Sequence, residues 1–397
     1  MNSYNFLLIL AIILLSTKVL GLATGKVKMP QVVGALLAGL ILGPSVLNLV
    51  VEDNFIFVIS EIGVIMLMFS AGLETDLQEL KKTGVASFII AVAGVIVPLI
   101  GGCALYLVFF DGAGDPLHML KAIFVGVILT ATSVSITVET LKELGKLKGK
   151  IGTAILGAAI IDDILGIIVL TVVSSITSPD VKIATVLIKI VLFFVFVAIV
   201  GFVMYKYFKH LDHAFNDHMH RRVGIYALAA CFLMSFCAEH FFGVADITGA
   251  YFAGLLLCNL STIREYVIRK VEICSYMLFA PVFFASVGIK TNLGGLTPSL
   301  LLFAFLLLIV AILSKIAGCG LGAKICKFSN HEALSVGVGM VSRGEVALIV
   351  AQKGASVGLV PDTLFAPVIL VVIVTTLITP ILLKMVMADK APKPTSN

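Results

Sequence analysis

The sequence of 397 residues has little charge for its length, since Asp, Glu, Lys and Arg together make up only 13% of it. A soluble domain contains about 25% charged residues. Hydrophobic residues make up 60% of the chain, and its mean hydropathy is +1.14. This composition argues against a soluble enzyme or binding domain and indicates that lipid is the solvent for most of the chain.

Paired cysteines and a secretory signal are also missing. The seven cysteines include no CxxC pair, so we interpret them as small buried residues rather than as disulfides or zinc ligands. No Lys or Arg precedes the first apolar run, whereas a secretory signal begins with a positively charged segment. We therefore expect residues 4–24 to form a retained first membrane span.

Apolar runs long enough to cross a membrane, about 20 residues each, recur along the chain. They predict an all-α polytopic membrane protein with about 13 transmembrane helices. The predicted spans are 4–24, 30–50, 55–73, 84–110, 117–138, 151–177, 183–205, 223–242, 246–261, 273–289, 299–323, 332–352 and 363–386. An odd number of spans places the two termini on opposite sides of the membrane.

Lys and Arg residues are distributed unevenly between the two sets of connecting loops. Of the 28, twenty lie in one set and its adjoining span ends, four lie in the other set, and four lie inside spans. Because cytoplasmic loops are rich in Lys and Arg, we expect the N-terminus outside and the C-terminus in the cytoplasm, across the cytoplasmic (inner) membrane. Residues 391–397 are predicted to be a short cytoplasmic tail.

Two parts of the chain resemble each other at an almost constant separation. Residues 34–42, GALLAGLIL, match residues 249–257, GAYFAGLLL, and residues 72–77, GLETDL, match residues 288–293, GIKTNL. Matching spans are seven apart, and this odd number inverts the second copy relative to the first. Inverted repeats are typical of secondary transporters, whose binding site lies near the midplane between the repeats.

Ionisable residues inside membrane spans are costly and usually functional. Asp162 and Asp163 lie in span 6, Lys315 lies in span 11, and two further charges, Arg343 and Glu345, lie in span 12. At about 1.5 Å per residue, the aspartates and Lys315 lie near the middle of their helices and can meet. Neighbours on a helix point about 100° apart, so one aspartate can pair with Lys315 while the other binds a ligand.

Two spans contain polar runs that fill a lipid-facing helix poorly. Residues 130–137 in span 5 read TATSVSIT, and residues 342–345 in span 12, its repeat partner, read SRGE. Such runs suit helices that are interrupted inside the membrane, where free backbone groups line a cavity. We therefore predict two discontinuous helices that cross at mid-membrane. For span 5 alone, hydroxyls that bond to their own helix backbone are an equal alternative.

Three of these features together resemble a known family. Residues 130–137, the aspartates within residues 158–163, AAIIDD, and the single Lys315 resemble the bacterial sodium/proton antiporters of the second cation:proton antiporter family. The likeness covers nearly the whole chain. Residues 343–345, RGE, resemble the electroneutral relatives, whereas the aspartate pair favours the sodium branch.

The resemblance implies roles for individual residues. Asp163 would bind the cation or the proton, so that it is the sodium ligand of the site, and Asp162 would pair with Lys315. Thr132 and Ser133 would lie at the break in the first discontinuous helix. No cofactor is implied, because sodium and protons are the transported ions.

The resemblance also implies a division of the single transporter domain. The dimerisation part would comprise about residues 1–80 and 211–295, and the core part about residues 81–182 and 296–390. Residues 183–210 would form a linker helix between them. Members of this family are expected to work as homodimers in the lipid bilayer, by an elevator-like movement of the core part.

The expected function is secondary active exchange of sodium or lithium for protons, and we expect it to be electrogenic. A potassium/proton antiporter, a sodium-coupled solute carrier of similar fold and a channel stay open as alternatives. An enzyme is not expected, because an intramembrane aspartyl protease needs its two carboxylates on facing helices. Four histidines precede span 8, and we interpret them as part of a solvated loop rather than as a pH sensor: His210, His213, His218 and His220.

Overall fold

The computed structural model describes residues 5–26, 29–112, 115–177, 183–213, 220–290, 297–356 and 358–388. Sixteen α-helices account for most of these residues, and there is no strand among them. The helices are α1 (Asn5–Lys26), α2 (Gln31–Leu42), α3 (Asn54–Glu74), α4 (Leu77–Phe109), α5 (His118–Thr130), α6 (Val134–Glu143), α7 (Lys150–Thr177), α8 (Ile183–His213), α9 (His220–Cys237), α10 (Asp246–Leu257), α11 (Ser261–Cys274), α12 (Ala280–Ile289), α13 (Pro298–Ile325), α14 (Asn330–Gly339), α15 (Glu345–Ser356) and α16 (Phe365–Met387).

The predicted all-α polytopic membrane fold is confirmed. Within the described residues, ten helical segments are long and apolar enough to cross a membrane. Three shorter apolar helices, α2, α10 and part of α15, account for other predicted spans. The predicted span 273–289 begins too late, because α11 continues through a π-helical turn into α12 as one segment, Thr262–Ile289.

The predicted span 30–50 is wrong in its second half, because α2 ends at Leu42. Gly43 has an extended backbone, with ψ of −179°, and Pro44 follows it. A proline disfavours the helical conformation in the residue before it, so the helix stops there. With 12 residues, α2 is about 18 Å long and does not cross the hydrocarbon core by itself.

The sequence repeat appears in the packing of four helices. The glycine Gly39 of α2 lies against the carbonyl of Ala285 in α12, so closely that a Cβ would clash with its oxygen. The matching glycine of the second copy, Gly254 of α10, lies in the same way against the carbonyl of Phe69 in α3. Corresponding helices of the two copies therefore pack crosswise, α2 on α12 and α10 on α3, as a pseudo-two-fold axis requires.

The two ends of the helix bundle differ in charge. We call one the basic end, where α1, α6 and α13 finish near Lys26, Lys142 and Lys324. At the other, the opposite end, α2 finishes and α3 begins. Helix α4 runs between α7 and α13 and packs along both, so these three helices enclose the middle of the bundle.

Candidate functional site

A fully buried ion pair joins α7 to α13 in the middle of the bundle. Lys315 Nζ donates to Asp162 Oδ1 at 2.9 Å and to Oδ2 at 3.1 Å, and also to the carbonyl oxygen of Gly94 in α4 at 2.8 Å. Lys315 is 0% exposed and Asp162 is 2% exposed. The ammonium group has three N–H donors and meets three acceptor atoms. Removal of one partner from such a pair typically costs about 3–5 kcal/mol, because the other charge stays buried.

Asp163 is the second carboxylate of the pair and follows Asp162 on the same helix. It is also buried, at 8% exposure. The three donors of Lys315 are already taken by Asp162 and Gly94, and adjacent helical side chains point about 100° apart. The two aspartates therefore occupy different surroundings.

Two helices are interrupted close to this ion pair. Helix α5 ends at Thr130 and α6 begins at Val134, so three residues between them are not helical. Helix α14 ends at Gly339 and α15 begins at Glu345. The polar runs that predicted discontinuous helices overlap these interruptions, at residues 131–133 and 342–344.

The two interruptions bind each other directly. The backbone N–H of Ser133 donates to the carbonyl of Ser342 at 2.8 Å, and the Ser342 hydroxyl donates to the carbonyl of Ser133 at 2.8 Å. The Thr137 hydroxyl donates to the carbonyl of Gly339 at 2.7 Å. Backbone groups that a continuous helix would satisfy internally are thus satisfied across the contact, as burial requires.

Thr132 and Ser133 lie in the first interruption, and each is 1% exposed. The Thr132 hydroxyl lies close to the Asp162 carboxylate, although it forms no hydrogen bond of normal geometry with a described residue. The Ser133 hydroxyl lies 3.3 Å from that of Ser135. The Thr132 hydroxyl thus adds a neutral oxygen beside the Asp162 carboxylate, and hard cations prefer such oxygens as ligands.

Arg343 lies in the second interruption and is the largest fully buried side chain described. Its guanidinium donates to the carbonyls of Leu129 at 2.9 Å, Ala311 at 3.1 Å and Val341. Leu129 belongs to the last turn of α5, where free carbonyls give the helix end a partial negative charge. Arg343 therefore neutralises a half-helix end inside the bundle, and it forms no ion pair with a described carboxylate.

Some predicted residues lie outside what the structure describes. Glu345 is the first residue of α15, but its side chain is not among those described. His218 lies outside the described residues, and the side chains of His210, His213 and His220 lie outside them too. The interpretation of this histidine cluster stays a prediction.

A cavity of about 800 Å³, which was not predicted from the sequence, lies at the opposite end. It lies between α3 and α12 on one side and α15 and α16 on the other, and acidic side chains line it, including Glu61, Glu239 and Asp246. Glu61 lies inside predicted span 3. Because ionisable residues inside spans are usually functional, its position in the sequence was a signal that could have identified it. The others lie at helix ends, where sequence alone gives no such signal.

A charged contact at the basic end was not predicted either, because predicted span 5 ends at residue 138 whereas α6 continues to Glu143. Lys142 Nζ lies 3.0 Å from Glu74 Oε1 and 2.8 Å from Glu272 Oε1. The Glu143 carboxylate accepts hydrogen bonds from the first N–H groups of α2, those of Gln31 at 2.7 Å and Val32 at 3.2 Å. It thereby caps the N-terminus of another helix.

Inverted repeats, interrupted helices that bind each other and buried mid-bundle charges together define a secondary ion transporter. The sequence profile described as "Sodium/hydrogen exchanger, transmembrane" matches residues 9–388. The chain belongs to this family, and the predicted resemblance to bacterial sodium/proton antiporters is confirmed.

Curated relatives match along almost their whole length. The chain is 38% identical to the Na(+)/H(+)-K(+) antiporter GerN of Bacillus cereus, over 98% of this chain and 99% of the relative. It is 40% identical to the Probable Na(+)/H(+) antiporter GerT of Bacillus cereus, over 94% and 97%. It is 36% identical to the Na(+)/H(+) antiporter of Enterococcus hirae, over 96% and 97%.

Solved structures share the fold. The sodium proton antiporter MjNhaP1 of Methanocaldococcus jannaschii, seen by electron microscopy, matches with a TM-score of 0.73 at 18% identity, over 99% of this chain and 100% of that one. A structure of the same protein at pH 8 matches with a TM-score of 0.68 at 20% identity, over 94% of each chain. At such low identity, the likeness supports the architecture and not the roles of individual residues.

Proposed function

We propose that this protein is a secondary active antiporter that exchanges sodium or lithium for protons across the cytoplasmic membrane. One observation carries the proposal: two adjacent buried aspartates lie beside an interrupted helix, and Asp162 alone takes two of the three donors of Lys315. Its neighbour Asp163 is then the cation- and proton-binding carboxylate, and Thr132 and Ser133 supply further oxygens. The names of the curated relatives support sodium and protons as the transported ions.

Competition for one carboxylate explains the coupling. Burial disfavours a charged carboxylate, and a nearby cation favours it, so a buried aspartate binds either a proton or a metal cation. Either ligand neutralises the charge of Asp163, which makes its passage through the membrane feasible. Alternating access then carries the bound ligand across the membrane. Because the carboxylate holds only one ligand at a time, sodium and protons cross in opposite directions.

The charges of the site favour electrogenic exchange. Arg343 bonds to backbone carbonyls, so Lys315 rather than Arg343 is the counter-ion of Asp162. When sodium binds at Asp163 and draws Asp162 away, burial favours the neutral amine of Lys315. Two protons then leave for each sodium bound, and net charge moves.

The elevator movement and the homodimer belong to the same proposal, which divides the chain into two parts. The core part comprises about residues 81–182 and 296–390, and the dimerisation part comprises about residues 1–80 and 211–295. The cavity at the opposite end lies between these parts, as an access route to the site would. The excess of Lys and Arg at the basic end supports a cytoplasmic location for that end.

The test is ion-driven proton flux in proteoliposomes that contain the purified protein and no organic solute. Sodium or lithium pulses are expected to move protons, and an imposed membrane potential is expected to speed or slow that flux. A flux that needs an organic solute would identify a sodium-coupled carrier instead. If valinomycin and potassium clamp the potential without effect on the flux, the exchange is electroneutral and the two-proton scheme is wrong.

Potassium is the second candidate cation. The relative GerN, which matches nearly the whole chain, is named for potassium as well as for sodium. Potassium pulses in the same vesicles, with lithium as the internal comparison, decide whether this chain shares that property. A response to potassium that equals the response to sodium would make the protein a less selective antiporter at the same site.

A further inference from the structure

A second cavity lies at the basic end, away from the aspartate pair. It encloses about 500 Å³ between α1, α2, α6 and α12. Most of its lining is apolar, as at Leu14, Val32 and Phe284, but α6 contributes the carboxylates of Glu139 and Glu143. Pockets for drug-sized ligands have volumes of about 300–1,000 Å³ and combine an apolar lining with few polar groups. This cavity has the size and character of a ligand site.

The two carboxylates differ in how well they are satisfied. Both oxygens of Glu143 accept hydrogen bonds from the N-terminus of α2. Glu139 is only 3% exposed, and its Oε2 has no hydrogen-bond partner among the described residues. The Tyr276 hydroxyl lies within reach of the same carboxylate, but it can satisfy only one oxygen. A buried acceptor without a donor is costly, so this oxygen is suited to receive a donor from a ligand.

The protein offers Glu139 no cation of its own within the described residues. Lys142 lies one helical turn away, but its ammonium group bonds to Glu74, Glu272 and Ser70. Lys18 lines the cavity but is exposed and forms no ion pair with a described carboxylate. A positive charge on a ligand would therefore compensate a buried carboxylate that forms no ion pair with a described residue.

A bare metal ion does not fit this cavity well, because hard cations need several oxygen ligands and the lining is mostly apolar. An organic cation needs a single acceptor and an apolar wall. We propose that the cavity binds a primary ammonium group carried on an apolar body, with the ammonium donating to Glu139 Oε2. Such a group belongs to a lipophilic amine or to the headgroup of an aminophospholipid.

The position of the cavity gives the ligand a consequence for transport, which rests on the proposed function. Helix α6 belongs to the proposed core part, whereas α1, α2 and α12 belong to the proposed dimerisation part. A ligand in the cavity therefore contacts both parts at once. If the core moves as an elevator, the ligand is expected to slow exchange.

Binding is measured first, by calorimetry on the purified full-length protein in nanodiscs of phosphatidylcholine. The probes are 4-phenylbutylammonium and its neutral analogue 4-phenylbutanol. The ammonium is expected to bind the unaltered protein, and Glu139→Gln is expected to weaken it by about tenfold or more, as loss of a charge-assisted hydrogen bond requires. The alcohol should bind both proteins equally, and the control Glu79→Gln, outside the cavity, should change neither probe.

Several outcomes would contradict the proposal. The site is wrong if the ammonium fails to bind the unaltered protein, or if it binds Glu139→Gln as tightly. Because a glutamine matches the shape of glutamate, unchanged alcohol binding also shows that the variant keeps the cavity. The same binding measurement in nanodiscs of phosphatidylethanolamine identifies the source of the ammonium group. If the probe then binds the unaltered protein more weakly, while its binding to Glu139→Gln does not change, the lipid headgroup competes for the cavity. If binding to the unaltered protein does not change, the natural ligand is a free amine.

Transport is measured second, as exchange of labelled for unlabelled sodium, which needs no pH gradient that the amine would dissipate. The ammonium should slow this exchange in the unaltered protein and not in Glu139→Gln. If the ammonium binds but does not inhibit exchange, the ligand site is supported, and the proposed effect of a ligand that contacts both moving parts is contradicted. Absence of sodium exchange in the unaltered protein before any ammonium is added, together with ammonium binding in the calorimeter, contradicts the proposed function and leaves the site standing.

Discussion

The charges in the middle of the bundle and those at the basic end join different elements. Lys315 and Asp162 lie on α13 and α7, both within the proposed core part, and both are almost fully buried. Lys142 lies on α6 of that part but bonds to Glu74 and Glu272 of the proposed dimerisation part. The side chains of this second group are 16%, 13% and 35% exposed.

The difference matches what an elevator movement requires. A buried ion pair is expensive to break, because both charges lose their compensation in a medium without water. The pairs of Lys142 are less deeply buried, so water can reach their charges when they separate, and breaking them costs less than breaking the central pair. If the two proposed parts move against each other, the central pair can travel intact inside the core part, whereas the pairs of Lys142 would have to break. Costly contacts thus lie within a part and inexpensive ones lie between the parts.

Loss of Asp163 is the most severe test of the central group. Asp163→Asn is expected to abolish sodium-driven proton flux, because it removes the carboxylate for which sodium and protons compete. The melting temperature should stay close to that of the unaltered protein, since Lys315 keeps its partners. Proteoliposome flux is the measurement, with Asp115→Asn, a change at a half-buried position between α4 and α5, as the control. Normal flux in Asp163→Asn would disprove its assignment.

A cross-link between the parts tests the contact at the basic end. Lys142 Nζ lies 2.9 Å from Ser70 Oγ, so cysteines at these two positions can be joined by a short bifunctional thiol reagent. In a background without the native cysteines, the cross-link is expected to stop exchange almost completely, because α6 is then fixed to α3.

The matched control joins two helices of the core part. A Cβ at Gly101 of α4 would lie 3.6 Å from the Cβ of Ser314 in α13, a separation typical of disulfides. Cysteines at both positions should form a bond that leaves exchange intact. Unimpaired exchange with the Ser70–Lys142 cross-link in place would show that these two parts do not move against each other.

Removal of Lys315 is expected to have the largest effect on stability. Lys315→Gln leaves Asp162 as a buried charge without its partner, which costs about 3–5 kcal/mol. A thermal-shift assay should show a lower melting temperature, and Asp162→Asn combined with Lys315→Gln should recover much of the loss. In flux assays, Lys315→Gln should lose its response to the membrane potential. An unchanged melting temperature would mean that the ion pair contributes little.

Arg343 tests whether shape as well as charge matters at the centre. Its planar guanidinium reaches carbonyls on three separate segments, which a lysine ammonium does not reproduce. Arg343→Lys is therefore expected to leave carbonyls unsatisfied and to cost about 1–3 kcal/mol, measured by thermal shift. Full stability in Arg343→Lys would show that a positive charge alone is sufficient there.

The histidine cluster at the junction of α8 and α9 is expected to have the smallest effect, although the structure places His210 and His213 at the end of α8 and His220 at the start of α9 rather than in a loop. Replacement of His210, His213, His218 and His220 by glutamine should leave the pH profile of exchange nearly unchanged, as for a solvated loop. Histidine titrates close to neutral pH, so a sensor in this loop would shift the profile by about one pH unit when it is removed. A shift of that size in the flux assay would overturn the interpretation.

The sequence by itself determined the membrane fold, the repeat and the depth of the central charges. Hydrophobic run length and helical rise are local properties, so they place Asp162, Asp163 and Lys315 at one level without any tertiary information. The helix end at Leu42 could also have been predicted, because Pro44 carries a local signal.

Only the tertiary structure decided which groups meet. Helix geometry required only that the two aspartates point apart. The rotation of α7 relative to α13 decides that Asp162 pairs with Lys315, whose ammonium group donates to both oxygens of Asp162 and to the carbonyl of Gly94. The carbonyl partners of Arg343 and the orphan oxygen of Glu139 likewise depend on how distant segments pack. Sequence spacing fixes depth along a helix, whereas helix rotation and interhelical distance arise from the packing of the whole bundle.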